Sequence, residues 1–155
     1  MTLTYFLLFL VASAAAAATG IIFKPGEWYV GLKKPGFTPP NWVFPVAWTY
    51  LYVSVAYAAS RIAPEAGSQI ALALFAVQIA LNTLWTPVFF GAHRLWLGLL
   101  VLICLWVAVA AMMLAFLQLD MLAGLLVFPY LVWLTLAGAL NFRVWRDNPG
   151  AGGQT

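Results

Sequence analysis

Residues 95–117 read LWLGLLVLICLWVAVAAMMLAFL, a run of 23 residues without a single charged side chain. An α-helix rises about 1.5 Å per residue, so this run is long enough to cross the roughly 30 Å of hydrocarbon in a bilayer. Backbone groups in lipid must be hydrogen-bonded within the protein, and the run lacks the alternating polarity of a barrel strand. It therefore predicts a transmembrane helix.

Four further apolar runs of similar length are separated by charged residues, Pro and Gly. The chain is 65% hydrophobic and 7% charged, whereas soluble domains are about 45–50% apolar and about 25% charged. We therefore predict one all-α membrane domain over residues 1–155, a bundle of five transmembrane helices with a long first loop, residues 24–40, and a tail, residues 143–155. The predicted helices cover residues 3–23, 42–61, 68–90, 95–117 and 121–142.

The first run resembles a signal peptide, but no Lys or Arg precedes it and it continues through Ile21, Ile22 and Phe23. Both features favour a retained helix over a cleaved signal peptide. Five crossings place the first loop, the third loop and the tail on one side. That side carries Lys24, Lys33, Lys34, Arg94, Arg143 and Arg146, and the other carries Arg61. The positive-inside rule then predicts a cytoplasmic first loop and C-terminus, in either the inner or the outer bacterial membrane.

The charged residues offer little for enzyme chemistry. The acids Glu27, Glu65, Asp120 and Asp147 lie on different loops, and His93 stands alone beside Arg94. A catalytic dyad or a metal site has no second member here, so we expect no metal and no obligatory cofactor. The basic residues are scattered, so we expect no nucleic-acid partner. A binding protein is favoured over an enzyme.

Eight tryptophans divide into two groups by position. Four lie near predicted helix ends, where an indole anchors to lipid headgroups, and these are Trp28, Trp42, Trp96 and Trp145. Four lie deeper, and these are Trp48, Trp85, Trp106 and Trp133. A buried indole N–H needs an acceptor from the protein, from water or from a bound molecule, although packing alone also explains such residues.

Three predicted helices carry polar and aromatic residues at helical spacing. The third has Gln78, Asn82, Trp85 and Phe89 on one stripe, the fifth has Tyr130, Trp133 and Ala137, and the second has Trp48 and Tyr52. Gln and Asn in membrane helices face the bundle interior, either as interhelical hydrogen bonds or as the lining of a cavity. We predict that the three stripes converge on one aromatic, sparsely polar pocket of the kind that binds small molecules.

Another face of the third helix carries Ala76 and Ala80, a pair of small residues four positions apart. Such pairs allow close helix approach, and symmetric dimers are the commonest oligomers. We therefore predict a homodimer through the third helix.

The whole chain resembles the TspO/MBR family, whose members are bacterial tryptophan-rich sensory proteins and the mitochondrial translocator protein, also called the peripheral-type benzodiazepine receptor. A bacterial member is expected. The motifs that carry the resemblance are KPGEWY at residues 24–29, PP at 39–40, WVFPVAWTYLY at 42–52, NTLWTPVFFG at 82–91, PYLVW at 129–133 and NF at 141–142.

The resemblance implies a homodimeric five-helix bundle that binds porphyrins such as protoporphyrin IX, or haem, in contact with membrane lipid. Its pocket is implied to include Trp28, Tyr29, Phe44, Trp48, Asn82, Trp85, Trp133 and Ala137. The leading function is a tetrapyrrole-binding sensor, carrier or regulator. The alternatives are an enzyme that degrades porphyrin in light, with Trp48 and Trp133 as candidate catalytic residues, and a porphyrin or sterol transporter. Phe142 stands where the sterol pattern requires Tyr, so sterol binding is not expected.

Overall fold

The computed structural model describes residues 3–152; Met1, Thr2 and residues 153–155, the ends of the predicted domain and tail, lie outside the described residues. Five helices are long and apolar enough to cross a membrane. The all-α, five-span prediction is confirmed. The helices are α1 Leu3–Ile22, α2 Glu27–Val30, α3 Val43–Ile62, α4 Gln69–Thr86, α5 Leu95–Leu119 and α6 Met121–Asp147.

Counting the π-helical turn that continues α4, the observed helix bounds lie within two residues of the predicted ones except at the end of α6. α4 is continued by a π-helical turn, Pro87–Gly91, where the Ala92 N–H donates to the Pro87 carbonyl at 2.8 Å. Pro87 has no N–H, so the regular hydrogen-bond ladder is broken at this point. α6 continues to Asp147, five residues past the predicted end at 142. Its last turn is polar and carries an ion pair between Arg143 and Asp147 at 3.2 Å. The prediction ended the helix where the apolar run ends, but a helix can continue beyond the hydrocarbon.

The spanning helices form a closed ring in the order α1, α3, α6, α5, α4, in which each helix packs against its two neighbours. Lipid is as apolar as Leu, so close packing and interior polar contacts hold such a ring together more than the hydrophobic effect does. Small residues permit the close approach: Ala56, Ala58 and Ala59 of α3 are completely buried, and Ala16 of α1 is nearly so. The centre of the ring is filled by side chains such as Val109 and Phe116 from α5.

An ion pair fastens the end of the bundle opposite the first loop. Arg61, near the end of α3, places Nη2 at 2.6 Å and Nε at 2.9 Å from the same oxygen of Asp120. Asp120 is the single residue between α5 and α6, and its other oxygen accepts from the Ala123 N–H as the N-cap of α6. The guanidinium and this N–H hold the pKa of the Asp120 carboxyl below its ordinary value.

We expect Asp120→Asn to lower the thermal stability of the purified protein at pH 6, because Asn still caps α6 but has no charge for Arg61. A lowered folded-state pKa stabilises the protein above the unfolded value of about 4 and loses this effect as the pH falls through the folded value. The difference from wild type should therefore shrink below about pH 4. Thermal unfolding in detergent measures it, with Arg61→Gln as the matched variant. A difference that stays constant down to pH 3 contradicts this assignment.

Candidate ligand site inside the helix bundle

A buried polar network crosses the centre of the ring. The Asn82 side chain accepts a hydrogen bond from the Tyr52 hydroxyl at 2.9 Å through Oδ1 and donates to the Tyr130 hydroxyl through Nδ2. Tyr130 in turn donates to Gln78 Oε1 at 3.1 Å. The network joins α3, α4 and α6, so interhelical hydrogen bonding accounts for the Asn82 amide and for Gln78 Oε1, whereas Gln78 Nε2 is buried without a partner among residues 3–152. Both ends of the Asn82 amide are hydrogen-bonded to tyrosine hydroxyls, so this residue positions Tyr52 and Tyr130.

Five aromatic rings, which we call the Trp48 cluster, surround one side of this network. Trp48 stacks on Tyr52 with ring centroids 5.4 Å apart and meets Tyr130 edge-on at 5.9 Å. Trp133 lies edge-on to Trp48 at 6.4 Å and to Phe44 at 5.5 Å. Offset and edge-to-face rings of this kind provide the flat apolar surfaces that bind aromatic ligands.

The indole N–H of Trp133 is the exception in this cluster. It is buried, and no acceptor lies within hydrogen-bonding distance among residues 3–152. Two of the other deep indoles have acceptors: Trp85 donates to Asn141 at 3.4 Å, and Trp106 donates to Thr135 at 3.0 Å. An unpaired buried donor is costly, so Trp133 marks a point where a ligand acceptor is stabilising. Ala137, one turn further along α6, is half-buried.

A second group of rings, the Trp85 cluster, lies at the first-loop end. Trp85 stacks on Phe89 at 5.1 Å and meets Phe90 at 5.7 Å. Tyr29 lies edge-on to Phe90 at 5.3 Å and Trp28 lies edge-on to Phe89 at 6.0 Å. Burial raises the pKa of the Tyr29 hydroxyl, which keeps it protonated as a donor at neutral pH.

The predicted pocket residues thus fall into two clusters. Trp48 and Trp133 pack against the central core and Phe44 contacts Trp133, whereas Trp28, Tyr29 and Trp85 pack against a smaller core at the first-loop end. Asn82 and Trp85, three residues apart on α4, connect them. Asn141, which was not among the predicted pocket residues, accepts from Trp85 and donates to the Leu95 carbonyl at 2.9 Å. Its sequence signals were an amide within a predicted transmembrane helix and its place in the NF motif at residues 141–142.

The first loop is fastened to the C-terminal tail by contacts that we call the clasp. The Trp28 indole donates to the Ala151 carbonyl at 3.0 Å and stacks on His93 at 4.0 Å. The Asn148 amide pairs with the Lys33 backbone in both directions, at 2.8 and 2.9 Å. The Trp28 N–H therefore donates within the protein, and its role as a headgroup anchor stays a prediction. The loop covers the end of the bundle where the Trp85 cluster lies.

Ala76 and Ala80 lie on the outer face of α4 and are exposed. No other helix of the described chain covers them. The dimer through this helix stays a prediction.

Comparison with known proteins shows the family of this chain. The sequence model of the TspO/MBR family matches residues 5–146. The chain belongs to the TspO/MBR family. It is 54% identical over 154 residues to protein CrtK of Rhodobacter capsulatus, covering 97% of this chain and 96% of the relative. It is 54% identical over 143 residues to the tryptophan-rich sensory protein of Cereibacter sphaeroides, covering 92% and 90%.

The translocator protein of Homo sapiens is 38% identical over 150 residues, covering 92% of this chain and 89% of that protein. The family match includes every member of the Trp48 and Trp85 clusters and ends before most of the tail that forms the clasp. The family match therefore covers all five spans and the first loop, but not Asn148 and Ala151 of the clasp.

We expect Tyr130→Phe to destabilise the protein more than Tyr52→Phe does. Loss of the Tyr130 hydroxyl leaves both Asn82 Nδ2 and Gln78 Oε1 without a partner, whereas loss of the Tyr52 hydroxyl frees only Asn82 Oδ1. Interhelical hydrogen bonds in membranes contribute about 0.6 kcal/mol on average and at most about 1.7 kcal/mol. The expected losses are about 1–2 kcal/mol for Tyr130→Phe and about half of that for Tyr52→Phe, measured by unfolding in mixed micelles with SDS. Equal losses would argue against the network.

Proposed function

We propose that this TspO/MBR protein binds a tetrapyrrole, such as protoporphyrin IX or haem, within its helix bundle and acts as a sensor, carrier or regulator. The observation that carries the proposal is the unpaired, buried indole N–H of Trp133 beside the rings of Trp48 and Phe44. A tetrapyrrole matches this chemistry because it combines a large flat π-surface with ring nitrogens and carboxylates that accept hydrogen bonds.

The donors of the cluster fit such a ligand. The indole of Trp133 supplies a hydrogen bond, and Trp48 and Phe44 supply ring faces and edges, while Asn82 holds Tyr52 and Tyr130 in place. A groove beside Trp133 has a volume of about 180 Å³, below the roughly 300–1,000 Å³ of sites for drug-sized ligands. A whole macrocycle therefore requires the rings of the Trp48 cluster to move apart.

The family supports the same ligand class. Resemblance to TspO/MBR proteins implies porphyrin binding, and the relatives named above are called a sensory protein and a translocator protein. Each of these names describes the relative and not this chain. We favour binding with a sensing or carrying role for this chain. A homodimer through Ala76 and Ala80, and a cytoplasmic first loop, belong to the same proposal.

Protoporphyrin IX titrated into purified protein in detergent should quench tryptophan fluorescence saturably. Trp133→Phe keeps the ring but removes the N–H, so we expect affinity to fall by about tenfold, as for the loss of one hydrogen bond of roughly 1–1.5 kcal/mol. The matched control is Trp106→Phe, which removes an indole already paired with Thr135. Asn82→Ala should also weaken binding, because Tyr52 and Tyr130 lose their common partner.

Two results would refute the proposal. One is the absence of saturable quenching in the wild-type protein. The other is equal affinity in Trp133→Phe, Asn82→Ala and Trp106→Phe.

A second candidate is light-driven degradation of the porphyrin. The contact between Trp48 and Trp133 favours it, because a photoexcited ring can take an electron from a neighbouring indole. Illumination of the complex in air, followed by product analysis, tests this function. Turnover that is lost in Trp48→Phe and Trp133→Phe but kept in Trp106→Phe supports it, and equal bleaching in all four proteins opposes it. Flux across vesicles is the corresponding test for a transporter.

A further inference from the structure

A groove runs along the outside of the bundle between α3 and α6. It has a volume of about 180 Å³, and its lining is Ala47, Tyr50, Leu51, Pro129, Val132, Trp133 and Leu136. Tyr50 and Val132 are each 55% exposed, so in a membrane they face the hydrocarbon. Apart from the Tyr50 hydroxyl and the Trp133 indole, every lining side chain is apolar. An occupant must therefore be soluble in lipid.

Trp133 belongs both to this groove and to the Trp48 cluster. One part of its ring system borders the lipid-facing groove, while its contacts with Phe44 and Trp48 belong to the interior. Its N–H is buried and unpaired within residues 3–152. A ligand in the groove that carries an acceptor therefore meets a free donor on its way to the interior rings.

The two ends of the bundle offer less access. At the first-loop end, the clasp ties Lys33 to Asn148 and Trp28 to Ala151, and the Trp85 cluster packs beneath it. At the opposite end, the interior is filled by the buried Phe116 and Met112 of α5. The groove is the described opening that reaches a member of the Trp48 cluster from the membrane.

We propose that the groove between α3 and α6 is the port through which a tetrapyrrole passes laterally between the bilayer and the Trp48 cluster, with Trp133 as the movable wall. This inference rests on the proposed function. The ring of the macrocycle is apolar apart from its carboxylate side chains, so the ligand partitions into the bilayer with its carboxylates near the headgroups, which makes the bilayer the reservoir of ligand. The route requires Trp133 and the neighbouring rings of the Trp48 cluster to move, whereas passage through the first loop also requires the clasp to break.

The test compares rates with affinity in protein reconstituted into phosphatidylcholine vesicles. Protoporphyrin IX is added to the vesicles, and its absorbance is followed by stopped flow. Val132→Phe partly fills the groove, and Val107→Phe makes the same change on the lipid-exposed face of α5 as a matched control. A narrowed port raises the barrier equally in both directions, so we expect association and dissociation each to slow about tenfold in Val132→Phe with an unchanged Kd. Ala47→Phe is a second substitution that places a larger side chain in the same groove, and we expect the same result for it.

Asn148→Ala addresses the competing route through the first loop. This substitution breaks the clasp. The lateral port would be overturned if association and dissociation became faster in Asn148→Ala while Val132→Phe and Ala47→Phe kept the rates of the control Val107→Phe. A changed Kd with an unchanged association rate in both groove variants would also overturn it. Wild-type protein that binds protoporphyrin IX saturably keeps the proposed function in either case, and only the absence of that binding removes both proposals.

Discussion

Asn82 carries a donor and an acceptor at the centre of a ring of helices that faces lipid, where an unpaired amide is expensive. Both groups are paired, one with Tyr52 and the other with Tyr130, and Tyr130 extends the chain to Gln78. Apolar side chains pack almost as well against lipid as against each other, so these bonds fix the relative positions of α3, α4 and α6. The orientation of the Trp48 cluster depends on them, because Tyr52 and Tyr130 contact Trp48.

The indoles of residues 3–152 differ in what their N–H groups do, and Trp133 is the one whose N–H is both buried and unpaired. Trp28, Trp85 and Trp106 donate to Ala151, Asn141 and Thr135 respectively, and each thereby fastens two parts of the chain. The N–H of Trp133 has no such task within the described residues. A buried, unpaired indole N–H beside a lipid-facing groove is what the proposed binding of a tetrapyrrole from the membrane requires. The proposed sensing role requires that ligand binding at Trp133 alters the packing of α3 against α6.

The five spans could be predicted because length and apolarity suffice in a medium without water, and the positions of Gln78 and Asn82 inside the bundle followed from helical spacing. The division of the pocket residues into two clusters could not be predicted, because periodicity gives the face of a helix but not which partner helix meets it at which depth. The clasp was inaccessible for a similar reason: Asn148 and Lys33 are 115 residues apart. The pairing of Arg61 with Asp120 could not be predicted either, since the topology places the end of α3 and the start of α6 on the same side of the membrane but does not make them neighbours.

The most direct measurement is the ¹⁵N–¹H spectrum of the eight tryptophan side chains in detergent, recorded with and without protoporphyrin IX. The Trp133 signal is assigned by its loss in Trp133→Phe. The account predicts that this resonance moves downfield on binding as its N–H gains an acceptor, with a larger change than that of Trp106, which is already bonded to Thr135. A Trp133 resonance that stays in place at saturating porphyrin would contradict the account.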